Sequence, residues 1–220
     1  MTVFYKILLS AIKIILLTLI VTVPSRAANL EGYTHFIVGN EVCVDIPFEW
    51  TIRNNQEIRR IKDLAKNITG KPSVSLTYLA TDYHYDNSYY VSTRISFLQN
   101  DGYSQEDFEN DLNSYGEDTF LKLFTIKMRD EVLENNKRNK YSQVDTDSLI
   151  TRIAPLDNRK SLVFKYNRTS FNNSSNIISV EQYHVYNGDK DIMISLSYDR
   201  RCSYCKNIIS GIKNSIHFIE

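Results

Sequence analysis

Asn187-Gly188 joins two runs of strand-forming residues, Ile177 to Tyr186 and Ile192 to Tyr198, and no other feature limits the fold as tightly. Asparagine and glycine accept the positive φ that a tight hairpin demands, so the flanking runs must lie side by side and antiparallel. Both runs repeat β-branched or aromatic residues at a period close to two. Gly39-Asn40 gives a second tight turn of the same kind, between Tyr33 to Val38 and Val42 to Ile46, with Pro47 ending the latter run.

The remaining segments fit around this antiparallel frame. Ile58 to Leu64 has helical spacing and stops near Gly70 and Pro72. Ser73 to Ala80 and Tyr89 to Leu98 read as another hairpin, joined by a polar but aromatic connection from Thr81 to Ser88. Ser104 and Asp107 form a helix-entry pair, since the serine oxygen can accept a bond from an otherwise unpaired amide. The helix that follows carries Phe108, Leu112 and Tyr115 on one face, meets a helix-breaking residue at Gly116, and continues through Leu121, Phe124, Met128 and Val132. Strands are expected at Ser148 to Ile153 and Ser161 to Tyr166, with a loop over Asn167 to Asn176. Cys202 to Ile216 forms a closing helix with Cys205, Ile209, Ile212 and Ile216 on one side. The predicted class is α+β, a mostly antiparallel sheet flanked by helices that each need a sheet face to cover.

The first 27 residues have the make-up of an export signal. Two lysines and no acid lie between Met1 and Lys13, an apolar stretch runs from Ile14 to Val23, and Ser25 and Ala27 provide the small residues of a cleavage site. The apolar stretch is about half the length needed to span a bilayer. Retention as one tilted anchor over Ile7 to Val23 would bury Lys13 at a cost of about 2.5 to 3.5 kcal/mol. Residues 28 to 220 then form a single mature domain beginning at Ala28, and the protein is expected in the periplasm or outside the cell. No cysteine near the cleavage point offers a lipid attachment site. Removal of Lys6, Lys13 and Arg26 leaves 23 basic against 26 acidic residues, a net charge of about -3. Such a mildly acidic domain is a poor partner for nucleic acid, and its basic groups at Arg59-Arg60-Lys62 and Lys137-Arg138-Lys140 read as solvated faces.

The opening strand pair leading into Val44-Asp45-Ile46-Pro47 and a tryptophan, with Ile192 to Tyr198 and the closing Lys213-Asn214-Ser215-Ile216-His217-Phe218, resembles PsbP-like proteins. The resemblance implies an α/β/α sandwich around an antiparallel sheet and a non-enzymatic binding or accessory role. A second likeness, of Val38-Gly39 and Val42-Cys43-Val44-Asp45-Ile46-Pro47 to the opening of periplasmic immunity proteins directed against type VI secretion lipases, implies a toxin partner.

Three cysteines, Cys43, Cys202 and Cys205, survive removal of the signal, and an oxidising compartment favours one disulfide among them. A bridge from Cys43 to Cys202 or Cys205 would contribute about 5 kcal/mol in the chain-entropy account, against about 2 for Cys202 to Cys205, so the long bridge is the expected staple. The competing reading makes Cys202-Ser203-Tyr204-Cys205 a thiol-disulfide exchange motif at a helix N-terminus, where a thiolate is stabilised. Tyr83, Tyr85, Tyr89 and Tyr90 cluster at one hairpin tip and are candidates for partner contact, because tyrosine combines apolar area with a polar end. Ordinary packing on a strand surface is the competing reading, and the one that the general burial of aromatic side chains favours. His35, His84, His184 and His217 are dispersed, without metalloprotease spacing, and no nucleophile elbow, Walker loop or dinucleotide fingerprint occurs. No catalytic residue, metal or cofactor is assigned. The expected function is an exported, non-catalytic domain that binds another protein, either an envelope component or a secreted toxin; thiol-disulfide exchange through Cys202 and Cys205 is the alternative.

Overall fold

A computed structural model describes residues 32–53, 75–85, 89–99, 102–138, 143–169, 176–188 and 190–219. The export segment, the helix expected at Ile58 to Leu64 and most of the loop expected at Asn167 to Asn176 lie outside the described residues. Glu31–Glu220 form one compact unit.

A seven-stranded antiparallel sheet organises this unit. Its strands are β3 (Thr51–Ile52), β4 (Ser75–Tyr85), β5 (Tyr89–Gln99), β6 (Val144–Leu156), β7 (Arg159–Thr169), β8 (Ile177–Asn187) and β9 (Lys190–Asp199), in the order β3-β4-β5-β9-β8-β7-β6. A smaller sheet, ordered β1-β2-β10, combines β1 (Tyr33–Val38), β2 (Val42–Pro47) and β10 (His217–Phe218). Among the described residues every strand pairing is antiparallel. Among the described residues the helices are α1 (Gln105–Tyr115), α2 (Glu117–Arg138) and α3 (Ser203–Asn214).

Two apolar clusters hold the layers together. On one side Ile192, Ile194 and Leu196 of β9 meet Val42, Val44 and Ile46 of β2 and Cys205, Ile209 and Ile212 of α3, all buried. On the other side Phe108, Leu112 and Phe120 from α1 and α2 cover Leu162 and Phe164 of β7 and Tyr186 of β8. Alternate residues of the same strands therefore feed opposite cores, as the period of two requires.

The turns follow residue chemistry with small shifts from the expected register. Asn187 pairs with Lys190, so the β8–β9 turn begins at Gly188, with φ of 62°, and Asn187 ends its strand. Gly39 and Asn40 adopt φ of 61° and 59°, as expected, but Glu41 joins them in a three-residue turn closed by its N–H to Val38 O at 3.1 Å. Asp157 and Asn158, both at positive φ, make a β6–β7 hairpin that sequence reading missed. The segment from Thr81 to Tyr85 is strand rather than connection, because Thr81 and its aromatic neighbours continue the β4 alternation and pair as far as Tyr85 with Tyr89.

At the helix entry, Ser104 and Asp107 form a reciprocal capping box. Gly116, with φ of 75°, divides the expected long helix in two. Tyr115 beside this break is exposed instead of packed, because the turn ends there. Among the described residues β6 pairs only with β7, and α2 guards its other edge. Asn136 donates Nδ2 to Val144 O at 2.7 Å and accepts the Val144 N–H at 2.9 Å, while Arg129 donates to Thr146 O at 3.4 Å.

Candidate functional site

The disulfide joins Cys202 to Cys205, with their Cα atoms 5.2 Å apart, and Cys43 is a free thiol. The expected staple from Cys43 does not form, and the pleat of β2 explains why. Val42, Val44 and Ile46 enter the core facing α3, so Cys43 and Asp45 take the opposite side of the small sheet. Cys202 caps α3, its Sγ accepting the Cys205 N–H at 3.0 Å. Both bridged residues are buried, at 5% and 0% exposure, which denies an external thiol the sulfur it would have to attack.

Cys43 is no better suited to nucleophilic work. Burial pushes its thiol pKa up, and the charges of Asp45 and Asp157 push it further in the same direction. Around it His35 Nδ1 lies 2.7 Å from Asp45 Oδ1 and His217 Nδ1 lies 2.9 Å from Asp157 Oδ1. Among the described residues no group of three His, Cys or carboxylate side chains is arranged to hold a metal ion.

Tyr89 and Tyr90, adjacent on β5, turn to opposite faces of the large sheet. Tyr89 lies beneath Arg201, whose guanidinium carbon is 5.5 Å from the ring centroid. Arg201 is fixed by Asp199 through Nε to Oδ1 at 3.0 Å, Nη2 to Oδ2 at 2.7 Å, and its own backbone N–H to Oδ1 at 3.0 Å. Burial alone would raise the Asp199 carboxyl, but these bonds outweigh it and hold the group below its ordinary range. Tyr83 and Tyr85 pair in register with Val91 and Tyr89, while their side chains lie outside the described residues.

Tyr90 belongs to a different surface. Arg168 of β7 stands 6.0 Å from its ring centroid. On the same face of β5 follow Ser92 and Arg94, and the register carries this polar face across the sheet, Arg94 to Ser195 to Gln182 and Ser92 to Ser197 to Val180 to Tyr166. Burial raises the Tyr166 hydroxyl pKa, opposed in part by the charges of Arg168 and Arg94, so the phenol stays neutral. Arg94 is exposed, while Tyr90, Ser92, Gln182, Ser195, Tyr166 and Arg168 are half-buried. The strip ends at an open cleft of about 250 Å³ lined by Asp145, Asn167, Arg168, Thr169, Ile177 and Arg200.

Two tyrosines, two arginines and intervening hydroxyls thus share one face of the sheet with the buried Ile178 and Val180. Sequence reading found Tyr90 and missed Arg94, Tyr166 and Arg168. The usable signal was alternation in β5, where Tyr90, Ser92, Arg94 and Ser96 are polar and Val91, Ile95 and Phe97 apolar. The cross-strand partners needed the register.

No protein-family model and no curated protein matches the chain. Among solved structures, cyanobacterial PsbP (CyanoP) from Synechocystis sp. PCC 6803 aligns over 88% of this chain and 96% of its own, at 11% identity and a TM-score of 0.53. The fold is PsbP-like. A Bacteroides thetaiotaomicron protein aligns over 86% of this chain and 49% of its own at 10% identity, with a TM-score of 0.43. LpqN of Mycobacterium tuberculosis, described as involved in cell envelope biogenesis, aligns over 86% of this chain and 91% of its own at 11% identity, with a TM-score of 0.37. At these identities the PsbP-like likeness fixes the architecture and transfers no site residue. Among the described residues no helix is long and apolar enough to cross a membrane.

Proposed function

We propose that this chain is an exported, non-catalytic domain that binds another protein, as an envelope accessory factor or as an immunity factor against a secreted toxin, with residues 1–27 as its cleaved signal. The strip containing Tyr90, Arg94, Tyr166 and Arg168 carries the reading. Tyrosine and arginine are the side chains that concentrate energy at protein interfaces, and a sheet face holds them at fixed spacing. A neutral phenol beside permanently charged guanidinium groups can hold a partner through apolar area and hydrogen bonds, whereas neither group serves as a base near neutral pH. The accessory role implied by the PsbP-like resemblance agrees with this chemistry.

The test places a photocrosslinking residue at Ser195 in the full chain, expressed in its native host, and identifies adducts in envelope and culture fractions. One defined protein should be captured, and Arg94→Ala with Arg168→Ala should remove the adduct without altering the unfolding midpoint. An envelope protein or a secreted toxin as the adduct decides between the two roles. Turnover of a small substrate by the purified chain, with no adduct above background, would overturn the proposal.

A further inference from the structure

On the opposite face of the large sheet from the Tyr90 strip, Arg152, Lys165, Glu181 and Lys213 converge beside α3. The register sets Lys165 of β7 directly against Glu181 of β8, and two residues along the strands it lines up Arg152 of β6 with Val163 and Tyr183. Val163 and Tyr183 belong to the core beneath α3, so the whole set lies on that side of the sheet. Tyr183 is fully buried and donates its hydroxyl to Glu181 Oε2 at 2.7 Å. Lys165 Nζ lies 3.0 Å from Glu181 Oε1, and Arg152 Nη2 stands 3.8 Å from Oε2, beyond hydrogen-bond reach. Lys213, in the last turn of α3, holds its ammonium 5.1 Å from the Tyr183 ring centroid and has no acid partner among the described residues. Arg152 and Lys165 remain 46% and 42% exposed, so the cluster opens to solvent.

Burial alone would raise the Glu181 carboxyl, but its bonds to Tyr183 and Lys165 and the charges of Lys165 and Arg152 keep it ionised. One negative charge therefore meets three positive ones. The acids that flank Arg152 along the chain are engaged elsewhere, Asp157 by His217 and the Phe218 N–H, and Asp147 by Arg129. Lys206, two turns before Lys213 on the same side of α3, adds a further cation and no acid. The surplus of about two charges matches a phosphate monoester, which carries about -1.5 to -2 at neutral pH and offers three strong acceptor oxygens. We propose that Arg152, Lys165 and Lys213 bind a phosphomonoester group, with Glu181 and Tyr183 holding the cations apart at the floor of the site. Arg152 supplies N–H donors in a planar fork and Lys213 a point charge. A single carboxylate, as on an acidic side chain of a protein, would leave part of the surplus uncompensated. Glycerol 3-phosphate and phosphatidic acid present this same group in soluble and in membrane-borne form.

Two binding measurements on the purified chain test the site: isothermal titration with glycerol 3-phosphate, and cosedimentation with phosphatidylcholine vesicles that contain phosphatidic acid. Binding of the soluble ester supports recognition of the phosphate group itself, and binding of the vesicles alone supports the same group presented by a lipid. Arg152→Gln and Lys213→Gln should each weaken binding by about tenfold, whereas Lys137→Gln, which removes an exposed cation on α2, should leave it unchanged. Glu181→Gln keeps an acceptor for Lys165 but removes the opposing charge, so it should tighten binding. Affinity for the ester should fall as pH is lowered through about 6, where the phosphate takes up its second proton, and affinity for sulfate, whose charge stays constant there, should not follow it. Unchanged far-ultraviolet dichroism and thermal midpoints will show that the variants fold. The inference is overturned by the absence of binding in both formats, by equal losses from Lys137→Gln and Lys213→Gln, or by parallel pH profiles for ester and sulfate. Vesicles of phosphatidylglycerol, a diester, bound as firmly as phosphatidic acid would overturn it too, because the chain would then be reading surface charge alone.

Discussion

Gly39→Ala isolates the contact between the first hairpin and the large sheet. Gly39 has φ of 61°, and a Cβ built there would overlap Phe97 Cε2 and stand 2.7 Å from Phe97 Cζ. Phe97 is 5% exposed, so its ring has little room to withdraw. The left-handed backbone costs alanine about 1 to 2 kcal/mol. Overpacking against the ring adds about 1 to 3 kcal/mol. Gly188→Ala is the matched control, since Gly188 has φ of 62° and a Cβ there meets nothing within 4 Å. The two variants share the backbone penalty and differ in the clash. Urea unfolding should therefore put the Gly39→Ala midpoint below that of Gly188→Ala by roughly 0.5 to 1.5 M, for an m-value near 2 kcal/mol/M. In a Phe97→Leu background the additional cost of Gly39→Ala should shrink, the coupling expected of touching residues. Equal midpoints for the two glycine variants, with no relief from Phe97→Leu, would show that the hairpin tip does not press on β5.

Other perturbations address the site and the sheet margin. Cys43→Ser should change stability by less than about 1 kcal/mol, whereas joint replacement of Cys202 and Cys205 by alanine should cost about 2 kcal/mol; peptide mapping of a bridge to Cys43 would contradict both. Asp199 and Glu181 have carboxyl pKa values held below the ordinary range, in each case by hydrogen bonds and nearby cations that outweigh burial. Their contribution is fully present above the unfolded-state values near pH 4 and is lost as pH falls through the lower folded-state values, so urea midpoints should fall below about pH 4 and Asp199→Asn should flatten that fall. Asn136→Ala should cost about 1 to 2 kcal/mol and accelerate hydrogen exchange at the Val144 amide, and unchanged exchange would remove the proposed edge guard.

Features set by local chemistry were legible in the sequence. The capping pair Ser104 and Asp107, the helix break at Gly116 and the β8–β9 hairpin each depend on a few neighbouring residues. The expected α+β class and PsbP-like fold follow from such signals and from their order along the chain. The start of the connection expected at Thr81 to Ser88 misled because Asp82 and His84 look like loop residues although they are the polar half of a continuing alternation, and the pairing of Tyr85 with Tyr89 keeps that segment in the sheet. The disulfide depended on face rather than separation: loop-closure entropy favoured Cys43, but one residue of offset on β2 sends it away from Cys202. The Tyr90, Arg94, Tyr166 and Arg168 strip joins strands distant in sequence, so composition could supply its members but not their meeting.

The Asn136 amide that satisfies both backbone groups of Val144 ties the solubility of the domain to the far end of α2. Fraying of the last turns of α2 would bare the first rungs of β6 to another chain, turning a local loss of helix into a seed for edge-to-edge assembly. Mutations that loosen this helix should therefore lower the yield of soluble protein before they change its affinity for any partner.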